Sequence, residues 1–276
     1  MAYALVALGF VLALNAAGAV NFAHGDLVVL GGATAVFVGL WTGLPSVLLL
    51  PLVALVLGAA GILAARIAIL PLAARPPEAT FVATIALAAI IEQGLTVAMG
   101  GAPRTAPALA GSGSFEIAGL VLGRQPLAIV AIGGLLIGAV WFLLERTQTG
   151  RRMRAVSADR HMARAVGIPV GLYVTFSLAL AGALAGVAGV LLGHQFLVSP
   201  TQGAGHMLKA YIAVALGGWG SVPGALLGAL GIGLFETFVS AGLGDAWASA
   251  ALYIAVLAVL AVRPQGLFGE PVGRRA

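Results

Sequence analysis

Residues 17–32 read AGAVNFAHGDLVVLGG, an apolar stretch into which Asn21, His24 and Asp26 are set within six positions. Gly18 and Gly25 can each break a helix there. In hydrocarbon every backbone polar group must be satisfied from within the protein. Two readings follow. In one, the backbone unwinds inside the membrane, and Asn21, His24 and Asp26 satisfy the freed groups or face a polar solute. In the other, the stretch is a turn at headgroup level, where an Asp costs little. Both require membrane helices on either side.

The rest of the chain makes the same demand. Of 276 residues, 61% are hydrophobic and 8% charged, at a mean hydropathy of +1.09. A soluble domain carries about 25% charged residues, so the solvent here is lipid. The lack of cysteine excludes disulfide frameworks, thiol nucleophiles and Cys-ligated metals. A span needs about 20 apolar residues. Segments of that kind are 1–18, 22–43, 45–66, 79–99, 126–144, 171–193, 222–241 and 246–262. The run MLKAYIAVAL at 207–216 is too short and reads as a half-helix or a buried short span. The expectation is an all-α polytopic membrane protein, one domain over 1–276, with about eight to nine membrane-embedded helices, one of them short or discontinuous.

Arginine placement orients these spans. Arg66 and Arg75, then Arg146, Arg151, Arg152, Arg154, Arg160 and Arg164, then Arg263, Arg274 and Arg275 form three groups holding eleven of thirteen arginines. The positive-inside rule makes all three cytoplasmic. Parity then requires 207–216 to traverse as an inward leg, and places Met1 outside. Trp41 and Trp247 fall at the outer interface, Trp141 and Tyr173 at the inner one. The net charge of +5 thus reflects topology, not nucleic-acid binding. Small residues at four-residue spacing, Gly182/Gly186, Gly189/Gly193, Gly220/Gly224/Gly228 and Gly134/Gly138, are candidates for close helix packing in lipid.

Two further segments stand out. LKAYIAVALGGWGSVPGALLGALGIG at 208–233 has Gly217, Gly218 and Gly220, then Pro223, between apolar runs. It reads either as a discontinuous helix presenting its ends to a central pathway or as a tight cytoplasmic turn between two ordinary helices. ERTQTGRRMRAVSADRHMARAVGIPV at 145–170 contains a short helix with Ser157 as N-cap, Asp159 in the first turn, and Gly167 then Pro169 as its stop. Met162 and Val166 share one face, with Ala158 and Ala165 beside it. About nine residues are too few for a stable isolated helix, so it docks on a cytoplasmic partner or lies on anionic headgroups.

The catalytic inventory is thin. The single lysine, Lys209, cannot complete a phosphate-binding Gly-x-x-x-x-Gly-Lys-Ser/Thr loop. No HExxH, paired carboxylates or Asp-rich motif occurs, and His161, His194 and His206 stand apart. Only Glu92 and Glu236 lie inside apolar runs, where pairing or snorkelling outward is expected.

The chain resembles the permeases of ABC importers for branched-chain amino acids, the leucine/isoleucine/valine type. The resemblance rests on NFAHGD at 21–26, GRRMRAVSADRHMARAVGI at 150–168, LGGWGSVPGALLG at 216–228 and RPQGLFG at 263–269. It runs nearly end to end. It implies a non-catalytic bacterial inner-membrane permease with no cofactor. Its implied partners are two cytoplasmic ATP-binding subunits, a second related permease, and a periplasmic or lipid-anchored solute-binding protein. It makes 146–170 the cytoplasmic coupling loop, with Asp159, Met162, Ala163 and Gly167 contacting the ATPase. Asn21, His24, Gly217, Gly218 and Gly220 become the substrate path. The rival class is a channel or ion-coupled secondary transporter working without an ATPase.

Overall fold

The structure, a computed structural model, describes all residues except 45, 74, 110–112, 118–119, 264 and 267–276. Arg274, Arg275 and most of the 263–269 motif therefore lie outside the described residues. The helices are α1 (Ala2–Ala17), α2 (His24–Thr42), α3 (Ser46–Ala64), α4 (Pro77–Met99), α5 (Arg124–Arg146), α6 (Gln148–Ala158), α7 (Arg160–Ala165), α8 (Val170–Gln195), α9 (Gly203–Gly217), α10 (Val222–Leu243) and α11 (Asp245–Val262). Six of the helical stretches are long and apolar enough to cross a membrane, and α1 is a shorter apolar helix. The chain is a multi-pass, helical membrane protein.

The apolar runs and the helices coincide to within a few residues, with three differences. Residues 203–206, Gly-Ala-Gly-His, extend the short run, so α9 has 15 residues and is about 22 Å long. The 145–170 loop holds two helices, not one. A small antiparallel hairpin, β1 (Ser114–Ile117) with β2 (Leu120–Gly123), pairs Ser114 with Gly123 ahead of α5, and puts Glu116 in a strand. Past α3 the chain widens into a π turn over Ala65–Ile69 and tightens over Leu70–Leu72 at Pro71, which has no N–H to continue the ladder.

α8 is the central post, buried along most of its length. Apolar burial drives no association in lipid, so close backbone approach must hold the helices together. The Gly182 backbone lies on Leu57 O of α3, Gly186 touches both Gly31 of α2 and Leu57, and Gly189 lies on Val28 O of α2. None of these positions has room for a Cβ. A Cβ at Gly134 or Gly138 of α5 would meet nothing within 4 Å, so that pair makes no close helix contact among the described residues.

The described members of the arginine groups gather at one end of the bundle. Gly18, after α1, meets the Arg160 guanidinium, and one cavity there is lined by Gly18, Ile69, Ala73, Arg160 and Val170. Asn15 Nδ2 donates to Gly220 O over 2.9 Å, bringing the α9–α10 connection to the same end. Gly266 lies against Ala215 O and Leu216 O, and so brings the chain after α11 there too.

Candidate functional site

The opening stretch unwinds inside the bundle. α1 stops at Gly18 in the left-handed region, φ 65°, with its N–H on Leu14 O. The chain then doubles back, and α2 begins at His24, whose Nε2 lies 3.1 Å from Val6 O in the middle of α1. The His24 ring also lies against Gly9, eight residues before Ala17, so the side chain that opens α2 reaches roughly 12 Å inside the end of α1. Asn21, His24 and Asp26 are packed within the bundle. Asn21 is 3% exposed, and its Oδ1 accepts the Ala23 N–H at 3.2 Å. It thereby satisfies a donor that the helix start leaves free. His24 is fully buried. A carbonyl only accepts, so Nε2 carries the hydrogen. Gly25 is no break. It sits in the first turn of α2 against Gly203 O and Met207. The Asp26 carboxylate lies against Gly203, where the N-terminal ends of α2 and α9 meet, a favourable place for negative charge. Neither Asn21 nor His24 lines the outer or inner cavity described next. In this structure His24 fastens α2 to α1, and Asn21 closes the turn ahead of α2.

The Gly-rich segment is a turn. Gly217 lies against Gly224, and Gly228 against Ala213. These pairings run in opposite directions along the chain, so α9 and α10 are an antiparallel hairpin and not one interrupted helix. Gly218 and Gly220 take φ of 101° and 79°, which L side chains avoid. Ser221 accepts the Gly224 N–H at 3.1 Å, and Pro223 sits in the first turn of α10.

Two open-sided cavities share α1, α5 and α10. The outer one, 770 Å³, is lined among others by Tyr3, Gln195, Lys209, Glu236, Thr237 and Ser240. The inner one, 430 Å³, is lined among others by Asn15, Arg154, Ser157, Gly220 and Ser221. Beside the stretch separating them is an apolar cluster of Ala4, Ala7, Ile212, Ala213, Ala229, Ile232, Leu252 and Val256. Of the expected path residues only Gly220 lines either cavity. The sequence reading missed Tyr3, Asn15 and the Lys209–Glu236 pair. The signal was available: a lone lysine inside an apolar run is costly unless it is partnered.

At the basic end, α6 is capped by Thr147, whose Oγ1 accepts the Gly150 N–H at 3.0 Å. Asp159 then turns extended, φ −154°, and separates α6 from α7. Its Oδ1 accepts the N–H groups of His161 at 2.7 Å and Met162 at 3.0 Å. The N-cap is therefore Asp159, not Ser157, which lies in the last turn of α6, and α7 has six residues where nine were expected. An extended residue at 159 cannot sit inside a helix, so the cap moves there. Backbone hydrogen bonds from Met162 and His161 hold the Asp159 carboxyl below its ordinary pKa. The stop at Gly167 is as read: φ is 79°, Gly167 N–H reaches Arg164 O, and Ile168 N–H reaches Ala163 O. Ala163 is buried, whereas Met162 and Val166 are 68% and 75% exposed. Arg160 Nη2 donates to Ala16 O over 2.6 Å, filling a carbonyl that the end of α1 leaves free.

The fold, the basic end and the capped loop define a multi-pass helical membrane protein. A family model described as "Branched-chain amino acid transport system / permease component" matches residues 1–261, and the chain belongs to that family. It is 29% identical to the high-affinity branched-chain amino acid transport system permease protein BraD of Pseudomonas aeruginosa, over 98% of this chain and 92% of that protein. It is 28% identical to LivH of Escherichia coli K12, a permease protein of the same description, with the same coverage. The probable branched-chain amino acid transport permease protein LivH of Methanocaldococcus jannaschii is 30% identical, over 96% and 88%. No solved structure matches.

Proposed function

We propose that this chain is the permease subunit of an ATP-driven importer for amino acids of the branched-chain class, set in a bacterial inner membrane. Nine helices (α1 to α5 and α8 to α11) cross the bilayer, with Met1 outside and the arginine-rich end inside. The observation that carries the reading is the loop helix α7. It is too short to stand alone, is closed at both ends, and turns Met162 and Val166 to the cytoplasm. Lacking a nucleotide-binding loop, the chain takes its driving force from two ATP-binding subunits that seat on α7 at Asp159, Met162 and Gly167. Ala163 anchors the helix from its buried side. Arg160, hydrogen-bonded to Ala16 O, carries the movement of α7 into α1.

The solute, delivered by an external binding protein, follows the open-sided groove past the outer and inner cavities. The Gly217–Gly220 turn and Asn15 form its cytoplasmic mouth, and a second permease subunit closes the open side. Asn21 and His24 hold the re-entrant start of α2 beside this route.

The test is uptake by proteoliposomes containing the chain with its sister permease, its ATPase subunits and the binding protein. Uptake of leucine, isoleucine or valine should require ATP and every subunit. Uptake driven by an ion gradient with no ATPase present would replace this reading with a secondary transporter.

A further inference from the structure

Lys209 of α9 and Glu236 of α10 face each other on the wall of the outer cavity. Lys209 Nζ lies 2.8 Å from Glu236 Oε1 and 3.1 Å from Oε2. It also donates to Tyr3 Oη at 3.1 Å and stands 4.8 Å from the centre of the Tyr3 ring. The two charged side chains keep 19% and 14% of their surface open, and that surface gives on the cavity. Lys209 is the only lysine in the chain. Burying two opposite charges among apolar helices adds little to stability compared with apolar side chains of the same size. The hairpin that carries them is already held by Gly217, Gly224 and Gly228. Ionisable side chains at this depth belong to pathways. The 770 Å³ space beside them is within the size range of small-molecule sites, 300–1,000 Å³ as an order of magnitude.

We infer that the Tyr3–Lys209–Glu236 cluster is the subsite that receives the head group of a zwitterionic α-amino acid, a refinement that rests on the amino-acid reading above. The solute ammonium takes the place of Lys209 on Glu236, while the solute carboxylate takes the place of Glu236 on Lys209. Four charges in alternation replace two, every charge keeps an opposite neighbour, and the net charge of the site stays zero throughout. Tyr3 keeps Lys209 in place as the pair opens, through its hydroxyl and its ring face. Thr237, Ser240 and Gln195 on the same wall leave polar partners for the remaining oxygen and N–H groups, while Ile129, Leu230 and Leu234 offer an apolar surface to the side chain. A solute with only one of the two charges leaves Lys209 or Glu236 unpaired.

The lone lysine gives a direct readout. In the assembled importer in lipid bilayers, with only this chain labelled by [15N]lysine, one side-chain ammonium resonance reports Lys209. Leucine should move it saturably, and 4-methylpentanoate and 3-methylbutylamine, each lacking one charge, should do so only at concentrations at least about tenfold higher, the factor expected for one lost charge-assisted hydrogen bond. A resonance that leucine leaves unmoved, in a preparation that imports leucine, overturns the inference. The variant K209M/E236L should lose about tenfold or more of its leucine uptake while ATP hydrolysis still responds to the loaded binding protein. Wild-type uptake by that variant also overturns the inference. If it does not assemble, the resonance of the unsubstituted protein decides. Failure of the unsubstituted importer to take up any amino acid with ATP would instead sink the functional reading itself.

Discussion

The two sides of α1 are built differently. Toward α2, α3 and α8 the helices touch backbone to backbone at Gly31, Gly182, Gly186 and Gly189, and the space is filled by one large core. Toward α5, α10 and α11 the large core continues only through single residues such as Ile129, Val140, Leu144 and Ala225, beside a smaller apolar cluster and two open cavities, with the half-buried Lys209–Glu236 pair on one of them. Lipid offers no hydrophobic force between helices. Contact must therefore come from shape, and where shape is not matched there is room for a solute. On the proposed function, the first side is the frame and the second is the part that opens.

The largest effect tests the frame. Gly189→Leu forces a side chain into Val28 O, so the assembled protein should be lost, as measured by recovery on size-exclusion chromatography. Overpacking of this kind costs about 1–3 kcal/mol even where side chains can yield, and here the obstacle is backbone. Gly231→Leu on α10, with nothing within 4 Å, should leave recovery within about 0.5 kcal/mol of the parent in unfolding free energy. Equal losses at both positions would break the contrast.

The next two concern the loop proposed to drive the second side. Gly167→Trp, at φ 79°, and Asp159→Lys, which removes the cap, should abolish ATPase co-purification while the permease stays folded; co-purification at parental level would separate α7 from the motor. Arg160→Ala should spare ATPase binding yet reduce uptake per ATP hydrolysed by several-fold, because the link to Ala16 O is lost. Unchanged coupling would assign the link a merely structural role.

A smaller effect sharpens the place of the opening motif. His24→Leu and Asn21→Leu remove one buried hydrogen bond each, which is worth about 1 kcal/mol. They should lower the Tm by a few degrees, with the KM for solute unchanged; a large rise in KM at unchanged Tm would move both residues into the solute path.

The smallest concerns pH. The folded carboxyl of Asp159 has a pKa depressed below its unfolded value. The cap is therefore fully present above the unfolded value, near 3.8, and is lost as pH falls through the folded value. ATPase co-purification should be flat from pH 7 to 5 as far as this residue is concerned. Asp159→Asn, which still caps, should behave like the parent at neutral pH; loss of binding in this variant would show that the charge and not the cap is required.

Much of this was legible in the residues. Hydropathy gave the apolar helices, arginine placement gave the basic end of the bundle, and Gly167 with Pro169 gave the end of α7. Each depends on a local property, either burial in lipid or the φ that only glycine reaches. The cap was misplaced from Ser157 to Asp159 because both residues are good caps, and only the packing of α6 chose between them. In the Gly217–Gly220 segment glycine permits both an interrupted helix and a turn, and the residues favour the interrupted helix, since transporters use such breaks. The contact of Gly217 with Gly224 settled it as a turn.

The sequence by itself determined that this chain is a lipid-embedded helical bundle with a basic end and a capped loop, because composition and terminal residues act over a few positions. The tertiary structure alone decided that α2 starts deep beside Val6, and that Lys209 finds Glu236 across 27 positions and Tyr3 across 206. In hydrocarbon a polar side chain takes whichever partner the fold brings within reach, and distance along the chain says nothing about which partner that is.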